Sequence, residues 1–465
     1  ENGSDNCVIS GSGTDRIFYI SQGEVDTTII DGFMIQNGYS DDYGGAIYCA
    51  NSSPTIRNCV IEHCEARFGG AVALSNSESE IELCQFNQNE SHEKGGAIYV
   101  SGYEPGTNEG FQLNSCSFTE CSSLKGGALY TSEISMSYIY DTTFTDNHAL
   151  ESGGAVVNFG GIRLGFVDCV LEGNEAKLSG GGVTTISGQS LFDNCTLRHN
   201  NARHGGAIHC AEQSSSIVMS DSMVELNTAL CGAGIFGQHC GLNLNGNQFQ
   251  NNSATEFGGA VYACNKTSLI FNGEIFSDNS AVNGGAIYLT SGADPDVDNC
   301  TFHGNLAREE GGAICFYRSI VQSGDLPRFY NCNFEDNRAF QKGGAIMFAG
   351  DSAEIAPAVV SSCMFAGNYA AFGGDLACPA SQDSPVQVAW STFHGDPNLE
   401  YYIANHEEFH FENNSGLLTP VNQDVYVKPD GDDSNNGLTW ATAFKTIQHA
   451  LSVLDTTTQT QHTIH

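Results

Sequence analysis

Eighteen cysteines are the residues of this sequence best suited to chemistry, because a thiol can form a disulfide, bind a metal ion or act as a nucleophile. About half of them recur at one position of an internal repeat, which elsewhere holds Thr142, Ser222 or Ser391. The cysteines at this position are Cys59, Cys84, Cys116, Cys169, Cys195, Cys300, Cys332 and Cys363. Because serine and threonine are close to cysteine in volume, the pattern predicts a ladder of small buried side chains.

Disulfide bonds are the alternative for these cysteines. Equivalent residues on adjacent repeat units would have Cα atoms about 4.8 Å apart, which is inside the disulfide range. The candidate pairs are Cys59 with Cys84, Cys332 with Cys363, Cys59 with Cys64, and Cys116 with Cys121. No Cys-x-x-Cys spacing occurs, so the sequence does not predict a zinc site.

An acidic loop near the carboxyl end, KPDGDDSNNG, is a second candidate for chemistry. Asp430, Asp432, Asp433 and Asn435 supply the hard oxygen ligands that calcium prefers. Their spacing lacks the bidentate glutamate of an EF-hand, and hydrogen bonds within a turn would account for the same residues. Calcium is therefore the one candidate cofactor, and a metal-free turn is the alternative.

The composition of the 465-residue chain limits the classes of function. With 54 acidic and 17 basic residues, the net charge is −37, and the scattered bases form no stripe that would bind nucleic acid. No apolar run reaches the roughly 18 residues of a membrane span. The first residues, ENGSDNC, do not form a signal peptide, so we expect a processed or excised chain.

Internal repetition is the strongest pattern in the sequence. A Gly-Gly doublet, followed by a small and an aliphatic residue, occurs thirteen times between Gly44 and Gly373, counting one degenerate copy, with a period of about 27 residues. Between the doublets runs a second motif, Cys-x-Phe-x-x-Asn-x-Ala in its fullest form, as in CNFEDNRA from Cys332. A unit of this length cannot bury an apolar face alone, so the units must stack and share one core.

Each unit contains two segments in which the residues alternate with a period of two, and this period indicates half-buried strands. Glycine supplies the positive φ needed at one corner, and we expect the asparagine of the second motif to be left-handed at the other. The pattern predicts an all-β parallel β-helix of thirteen or more coils, about 60 Å long. The expected internal column is Phe86, Phe118, Phe144, Phe249, Phe276, Phe302, Phe334 and Phe365.

The GGAI and FxxN repeats, which alternate over residues 30 to about 393, resemble the passenger repeats of polymorphic outer-membrane proteins. More broadly, they are similar to the right-handed, pectin-lyase-like β-helix proteins that bacteria secrete. The resemblance implies a right-handed solenoid, a cell-surface or extracellular location, and an adhesive or structural role. It also keeps an enzyme in view, because this group includes polysaccharide lyases and glycoside hydrolases.

Catalysis is the weaker hypothesis. Hydrolysis of a glycosidic bond needs two carboxyl groups about 5 to 9.5 Å apart, and 54 acids will form such pairs by chance, Asp41 with Asp42 among them. The paired aspartates, Gly-His-Gly and Arg-x-Lys of polygalacturonases do not occur together here, and the arginines are dispersed. We therefore predict no catalytic residues and keep a polysaccharide lyase or glycoside hydrolase as the alternative.

A row of aromatic residues is the best candidate for a binding surface. The position after the aliphatic residue of GGAI, which alternation places on the outer face, holds Tyr48, Tyr99, Tyr130, Tyr262 and Tyr288. Stacked rings on an outer face could bind a glycan or a cell-surface partner. The alternative, which we favour, is that these aromatic residues only stabilise neighbouring strands.

The end of the repeat divides the chain into a β-helix over 1–393, a terminal coil or connector over 394–420, and a cap-like segment over 421–465. The last segment has a short strand from Val425 and then a predicted helix that Thr439 would cap. Apolar residues at helical spacing form its predicted contact face: Trp440, Ala443, Phe444, Ile447, Leu451 and Leu454. The segment closely resembles the one with which bacterial β-helix domains begin.

These patterns predict a non-enzymatic bacterial protein of the cell surface or extracellular space, with a structural or adhesive role. Because an open solenoid end leaves backbone groups unpaired, we expect residues 421–465 to cover a following β-helix module or a neighbouring copy. A neighbouring copy would give a head-to-tail filament, whereas a following module would give successive β-helices on one chain. Trp440, Phe444, Ile447 and Leu451 would make that contact. The alternative is that the segment folds back over its own last coil, near Phe393.

Overall fold

Stacked coils of parallel strands make up almost all of the computed structural model of this chain. The structure describes residues 7–102, 110–134, 136–161, 163–290, 292–317, 327–349, 358–378, 386–394, 403–404, 409–416, 421, 423–432, 435–447, 450, 453–454 and 462–465. Three sheets have 15 strands each and a fourth has 12, and neighbouring strands in each sheet are parallel and one coil apart. The predicted all-β parallel β-helix is confirmed.

The four sheets are named here by number. The strands of the first sheet are Val8–Ser10, Met34–Gln36, Val60–Glu62, Gln85–Asn87, Ser117–Thr119, Thr143–Thr145, Val170–Glu172, Thr196–Arg198, Met223–Glu225, Gln248–Gln250, Ile275–Ser277, Thr301–His303, Asn333–Glu335, Met364–Ala366 and Thr392–His394. Those of the second sheet, which follow the glycine doublets, are Phe18–Ile20, Ile47–Ala50, Val72–Ser75, Ile98–Ser101, Leu129–Ser132, Val156–Phe159, Val183–Ile186, Ile208–Ala211, Ile235–Gln238, Val261–Cys264, Ile287–Leu289, Ile314–Tyr317, Ile346–Ala349, Leu376–Ala377 and Ile403–Ala404.

The strands of the third sheet are Ile29–Asp31, Thr55–Arg57, Glu80–Glu82, Gln112–Asn114, Met136–Tyr140, Arg163–Val167, Gln189–Asp193, Ser216–Ser220, Gly241–Asn245, Ser268–Asn272, Asp294–Asp298, Arg328–Tyr330, Val359–Ser361, Val386–Ala389 and Phe409–Glu412. Those of the fourth sheet are Tyr39–Tyr43, Glu65–Phe68, Glu90–Lys94, Ser122–Lys125, His148–Ser152, Glu175–Ser179, Asn201–His204, Thr228–Cys231, Ser253–Phe257, Ser280–Ala281, Leu306–Ala307 and Arg338–Ala339. Two strands therefore extend the second and third sheets beyond residue 393.

The phenylalanine column lies inside the first sheet, as predicted. Phe86 and Phe118 stack with ring centroids 4.7 Å apart, and the column continues to Phe393, which stacks on Phe365 at 4.9 Å. Leu171, between Phe144 and the next coil, begins a stretch where aliphatic residues replace the rings. Because equivalent side chains lie one coil apart, identical rings stack face to face along the core.

The glycine doublet forms a corner that no larger residue fits. Gly95 has φ of 66°, and a Cβ atom there would collide with the carbonyl oxygen of Ile98. Its neighbour Gly96 packs against the backbone of the next coil at Gly127, where a Cβ would also collide. The first glycine is thus required by its backbone conformation and the second by the close approach of coils.

The asparagine of the second motif is not left-handed, which corrects the expectation from the sequence. The positive φ belongs to the residue before it, for example Gln88 at 52° and Asp146 at 53°. The asparagines are instead buried and form a ladder in which each Nδ2 donates to the Oδ1 of the next, over 2.9 to 3.1 Å. The unbroken ladder is Asn147, Asn174, Asn200, Asn227, Asn252, Asn279, Asn305, Asn337 and Asn368.

The segment from residue 421 differs from its predicted helix. Thr439 caps a short 3-10 helix, Trp440–Thr442, and the chain then becomes extended at Ala443. Phe444 pairs with Val427 in a β-bridge, so helical backbone begins only at Ile447. The edge pairing of Phe444 therefore interrupts the predicted helical spacing. Among the described residues, no helix is long and apolar enough to cross a membrane.

Candidate functional site

The cysteine ladder is buried within the solenoid. All eighteen cysteines are free thiols in the structure, and only Cys7 is exposed. The Sγ of Cys84 donates to the carbonyl oxygen of Glu82 at 3.3 Å, a contact that recurs along the ladder. Burial raises the pKa of the Cys116 thiol to about 11 and that of Cys121 to about 12. The thiols of Cys116 and Cys121 are therefore protonated and shielded from solvent, and disulfide formation stays an open alternative for the ladder.

A buried carboxyl group, missed in the sequence, interrupts the cysteine ladder. Glu274 takes the cysteine position, and its Oε2 accepts a 3.0 Å hydrogen bond from the backbone N–H of Asn247. Its other oxygen has no hydrogen-bond partner among the described residues, and burial raises the pKa of Glu274 to about 8. The sequence signal was present, because an acid stands where most other coils carry cysteine, threonine or serine.

The predicted tyrosine row lies on the outer face of the second sheet, and much of it is covered. Tyr99 and Tyr130 are only 9% and 4% exposed, so the expectation that this position faces solvent is wrong for both. Phe68, at the corner before a glycine doublet, packs on Tyr99 at 5.3 Å, and the ammonium of Lys94 lies 4.7 Å from the Tyr130 ring centroid. These corner residues shield the rings and give them a packing role.

The other members of the row are half-buried. Tyr262 and Tyr288 stack at 5.6 Å, and Phe257 covers Tyr288 at 4.7 Å. Tyr48 stacks on Tyr43, which precedes its own glycine doublet, at 5.2 Å. Ligand binding by the row remains a prediction, and the stacking favours the structural alternative.

A shallow groove lies on the outer face of the fourth sheet. It has a volume of about 550 Å³ and runs across five coils. Its lining residues are His148, Leu150, Glu175, Ala176, Lys177, Asn201, Ala202, Arg203, Thr228, Ala229, Leu230, Ser253 and Thr255. The groove was not predicted, because the alternation in the sequence does not show the strands of the fourth sheet.

The charges of the fourth sheet set it apart from the rest of the surface. Its strands contain eight acids and six bases, which leaves 46 acids and 11 bases elsewhere in the chain. Two of the bases form ion pairs, Arg67 with Glu93 at 2.8 Å and Lys125 with a carboxylate at 3.2 Å. Lys177 and Arg203 are exposed in the groove and have no ion-pair partner among the residues that the structure describes. The groove is thus nearly neutral overall, with two available cations.

The predicted calcium loop is closed by hydrogen bonds in its described part. The side-chain amide of Asn435 donates to the carbonyl oxygen of Ala443 at 3.2 Å, and the backbone N–H of Asp432 donates to the same oxygen at 3.2 Å. Asp433 lies outside the described residues. Within the described ranges no group of three or more histidine, cysteine or acidic side chains could hold a metal ion. Calcium binding by Asp430 and its neighbours stays a prediction.

The predicted assembly residues do not share one face. Phe444 is buried with Val425, Ala450 and Val453 in a small separate core, whereas Trp440 and Ile447 are 59% and 63% exposed. Leu451 lies outside the described residues. In the described part of this segment, Trp440 and Ile447 are the exposed large apolar side chains.

Comparison with known proteins gives a match to one repeat family and matches to solved structures, among them two alginate lyases. The Chlamydia polymorphic membrane protein repeat matches residues 84–101, 248–264, 275–290 and 299–317. A PL6 alginate lyase in complex with a trisaccharide is 12% identical, with a TM-score of 0.32, over 100% of this chain and 97% of that one. The alginate lyase AlyF-OU02 is 13% identical, with a TM-score of 0.32, over 99% and 92%. No curated protein matches the chain.

Proposed function

We propose that this cell-surface β-helix protein, whose repeats resemble those of the polymorphic membrane proteins, is a non-enzymatic adhesive scaffold. In this proposal the outer face of the fourth sheet contacts an extracellular partner. The observation that carries it is the groove on that face, with Lys177 and Arg203 exposed and without ion-pair partners in the described structure. A nearly neutral face on a chain of net charge −37 is where a partner meets least electrostatic repulsion.

The carboxyl groups with altered protonation support a non-enzymatic role. Among the described acids, only Glu274 and Asp375 have a raised pKa, and both are buried in the solenoid. A general acid must reach the bond it protonates, and these groups do not face the groove. The polysaccharide lyase or hydrolase alternative is tested by incubating the chain with a polysaccharide panel and measuring reducing ends and unsaturated products.

Binding to immobilised extracellular-matrix proteins and glycans tests the adhesive role. We expect the full chain to bind at least one of them, and the double substitution Lys177→Glu with Arg203→Glu to weaken that binding. Lys266→Glu is the matched control, because Lys266 is exposed and equally charged but lies outside the fourth sheet. Binding that is equal in all three proteins would contradict the role of this face.

Self-association is the second part of the proposal, with residues 421–465 contacting another copy or a following module. The exposed Trp440 and Ile447 support it, because large exposed apolar side chains favour association. Light scattering of the chain and of the Trp440→Ser, Ile447→Ser variant tests it, and we expect the variant to have the lower particle mass. Val25→Ser, which removes another exposed apolar side chain, is the control.

A further inference from the structure

We infer that Arg338, Phe340, Tyr369 and Phe372 form a binding subsite for an uncharged sugar ring. We call these four side chains the aromatic patch. They lie at the carboxyl-terminal end of the fourth sheet, on two adjacent coils. The inference rests on the proposed function, because it names a ligand class for the same outer face.

The aromatic patch has three exposed rings on two adjacent coils, and two of these rings lie beside one guanidinium. Phe340, Tyr369 and Phe372 are 52%, 41% and 58% exposed. The guanidinium carbon of Arg338 lies 5.3 Å from the ring centroid of Phe340 and 5.4 Å from that of Tyr369. Arg338 is bridged to Tyr369 across one coil, and Lys342 is bridged to Phe372 in the same way. The backbone pairing of two coils thus fixes the positions of the rings.

Exposed aromatic side chains are rare elsewhere in the described structure. Seven are exposed in all, and three of them belong to the aromatic patch. The seven are Tyr19, Phe159, Phe340, Tyr369, Phe372, Trp390 and Trp440. Their concentration on two coils indicates a binding surface, since contiguous exposed apolar groups favour contact with another molecule.

Packing on a neighbouring tyrosine does not explain why an aromatic ring occupies position 372. The same corner position is filled by Phe68 and Phe257, which each cover a tyrosine of the second sheet, at 5.3 and 4.7 Å. Those tyrosines, Tyr99 and Tyr288, belong to the coil after that of the phenylalanine, and the equivalent residue in the coil after Phe372 is Ala404, which pairs with Ala377. No tyrosine therefore stands at this position for Phe372 to cover. Phe372 is consequently exposed where Phe68 and Phe257 are half-buried.

Charge favours an uncharged ligand. The net charge of −37 repels a polyanion, whereas Arg338 and Lys342 disfavour a cation at this spot. Lys342 is paired with Glu310 at 3.3 Å, but Arg338 has no carboxylate at ion-pair distance in the described part of the chain. Its guanidinium can therefore donate hydrogen bonds to sugar hydroxyl and ring oxygens.

The rings supply the complementary apolar contact. The C–H faces of a pyranose ring are apolar, and they pack on aromatic rings as other apolar groups do. The two coils place both Phe340 and Tyr369 beside one guanidinium, so a ring and a donor are available together. An apolar protein surface is the competing occupant, because tyrosine and arginine also dominate protein interfaces.

A binding titration of the full chain with maltohexaose, cellohexaose and mannohexaose tests the inference. We expect at least one of these uncharged sugars to bind, with an affinity that changes little with salt. The Phe340→Ser, Phe372→Ser variant should lose about tenfold or more in affinity, and Arg338→Gln should also weaken binding. Phe159→Ser is the matched control, since it removes an exposed ring from the second sheet. Circular dichroism checks that each variant is folded.

The outcomes separate this inference from the proposed function. No binding of any of the three sugars, or equal binding by the aromatic variant, overturns the sugar subsite. Loss of binding to a matrix protein in the aromatic variant, without sugar binding, assigns the aromatic patch to a protein partner instead. The double substitution Lys177→Glu with Arg203→Glu could abolish binding to the immobilised panel while the aromatic variant still binds. This result would support the proposed adhesive face and contradict the sugar subsite.

Discussion

The side-chain amide of Asn368 donates a 2.9 Å hydrogen bond to Oδ1 of Asp375, where the earlier rungs of the ladder use the next asparagine as acceptor. Asp375 replaces the alanine of the GGAI motif and is buried, and its second oxygen has no hydrogen-bond partner in the part of the chain that the structure describes. Burial raises the pKa of Asp375 to about 7, although the hydrogen bond from Asn368 opposes this. The ladder thus ends on a carboxyl group that is protonated in mild acid.

Asp375 should make the solenoid less stable as the pH rises. Because the folded chain holds this proton more tightly than the unfolded chain, the free energy of unfolding falls as the pH rises from 3.8, the ordinary pKa of aspartate, to about 7. Above about pH 7 the ionisation of Asp375 no longer changes the stability. The full effect is at most about 4 kcal/mol. Asp375→Asn should remove this part of the pH dependence and raise the stability at pH 8. Urea unfolding at several pH values measures it, and an unchanged profile would contradict the assignment.

Glu274 should also make the solenoid less stable as the pH rises, over a pH range that extends higher than that of Asp375. Its pKa of about 8 in the folded chain means that stability falls between 4.5 and about 8 as the unfolded chain loses its proton first. Glu274→Gln keeps an acceptor for the backbone N–H of Asn247 and removes the ionisation. We expect this variant to melt at a higher temperature than the parent at pH 8 and at a similar temperature at pH 4. Glu80→Gln, at an exposed position, is the control and should change neither value.

The repeat and the phenylalanine column could be predicted because both depend on local alternation. Residues two apart share a face of a strand, and stacked units bring Phe86 over Phe118 whatever the rest of the coil does. The asparagine ladder could not be predicted in the same way. Within one unit, a preference for left-handed backbone explains the asparagine at this position equally well. Only the register between coils shows that the side chain of Asn147 forms a hydrogen bond with that of Asn174.

The binding surfaces were harder to predict because they depend on a strand that the alternation did not show. Two strands per unit were expected and four are present, so the fourth sheet and its groove went unseen. Tyr99 was predicted to be exposed for the same reason. It is covered by Phe68, which lies at the end of a strand of the fourth sheet. In residues 421–465, the spacing of the apolar residues predicted a helix through Phe444, but Phe444 instead pairs with Val427 in a β-bridge.

Counting thiols distinguishes the two readings of the cysteine ladder. The structure has all eighteen cysteines reduced, and seventeen of them buried. We expect eighteen thiols to react with a thiol reagent in denaturant without reductant, and about one, Cys7, to react in the folded chain. A shortfall in denaturant that reductant restores would show disulfides instead, and peptide mapping would then identify which neighbouring cysteines are joined.

Asn227, in the middle of the asparagine ladder, should contribute strongly to stability. Its Oδ1 accepts from the backbone N–H and the side-chain amide of Asn200, and its Nδ2 donates to Leu197 and to Asn252. Asn227→Ala leaves these buried groups unpaired, and each one costs about 1 to 3 kcal/mol, so we expect a loss of about 3 kcal/mol or more. Urea unfolding followed by circular dichroism measures it. Asn201→Ala, one residue after Asn200 on the exposed face, is the control and should change stability by less than about 0.5 kcal/mol. Equal stability of the two variants would show that the ladder only fills space.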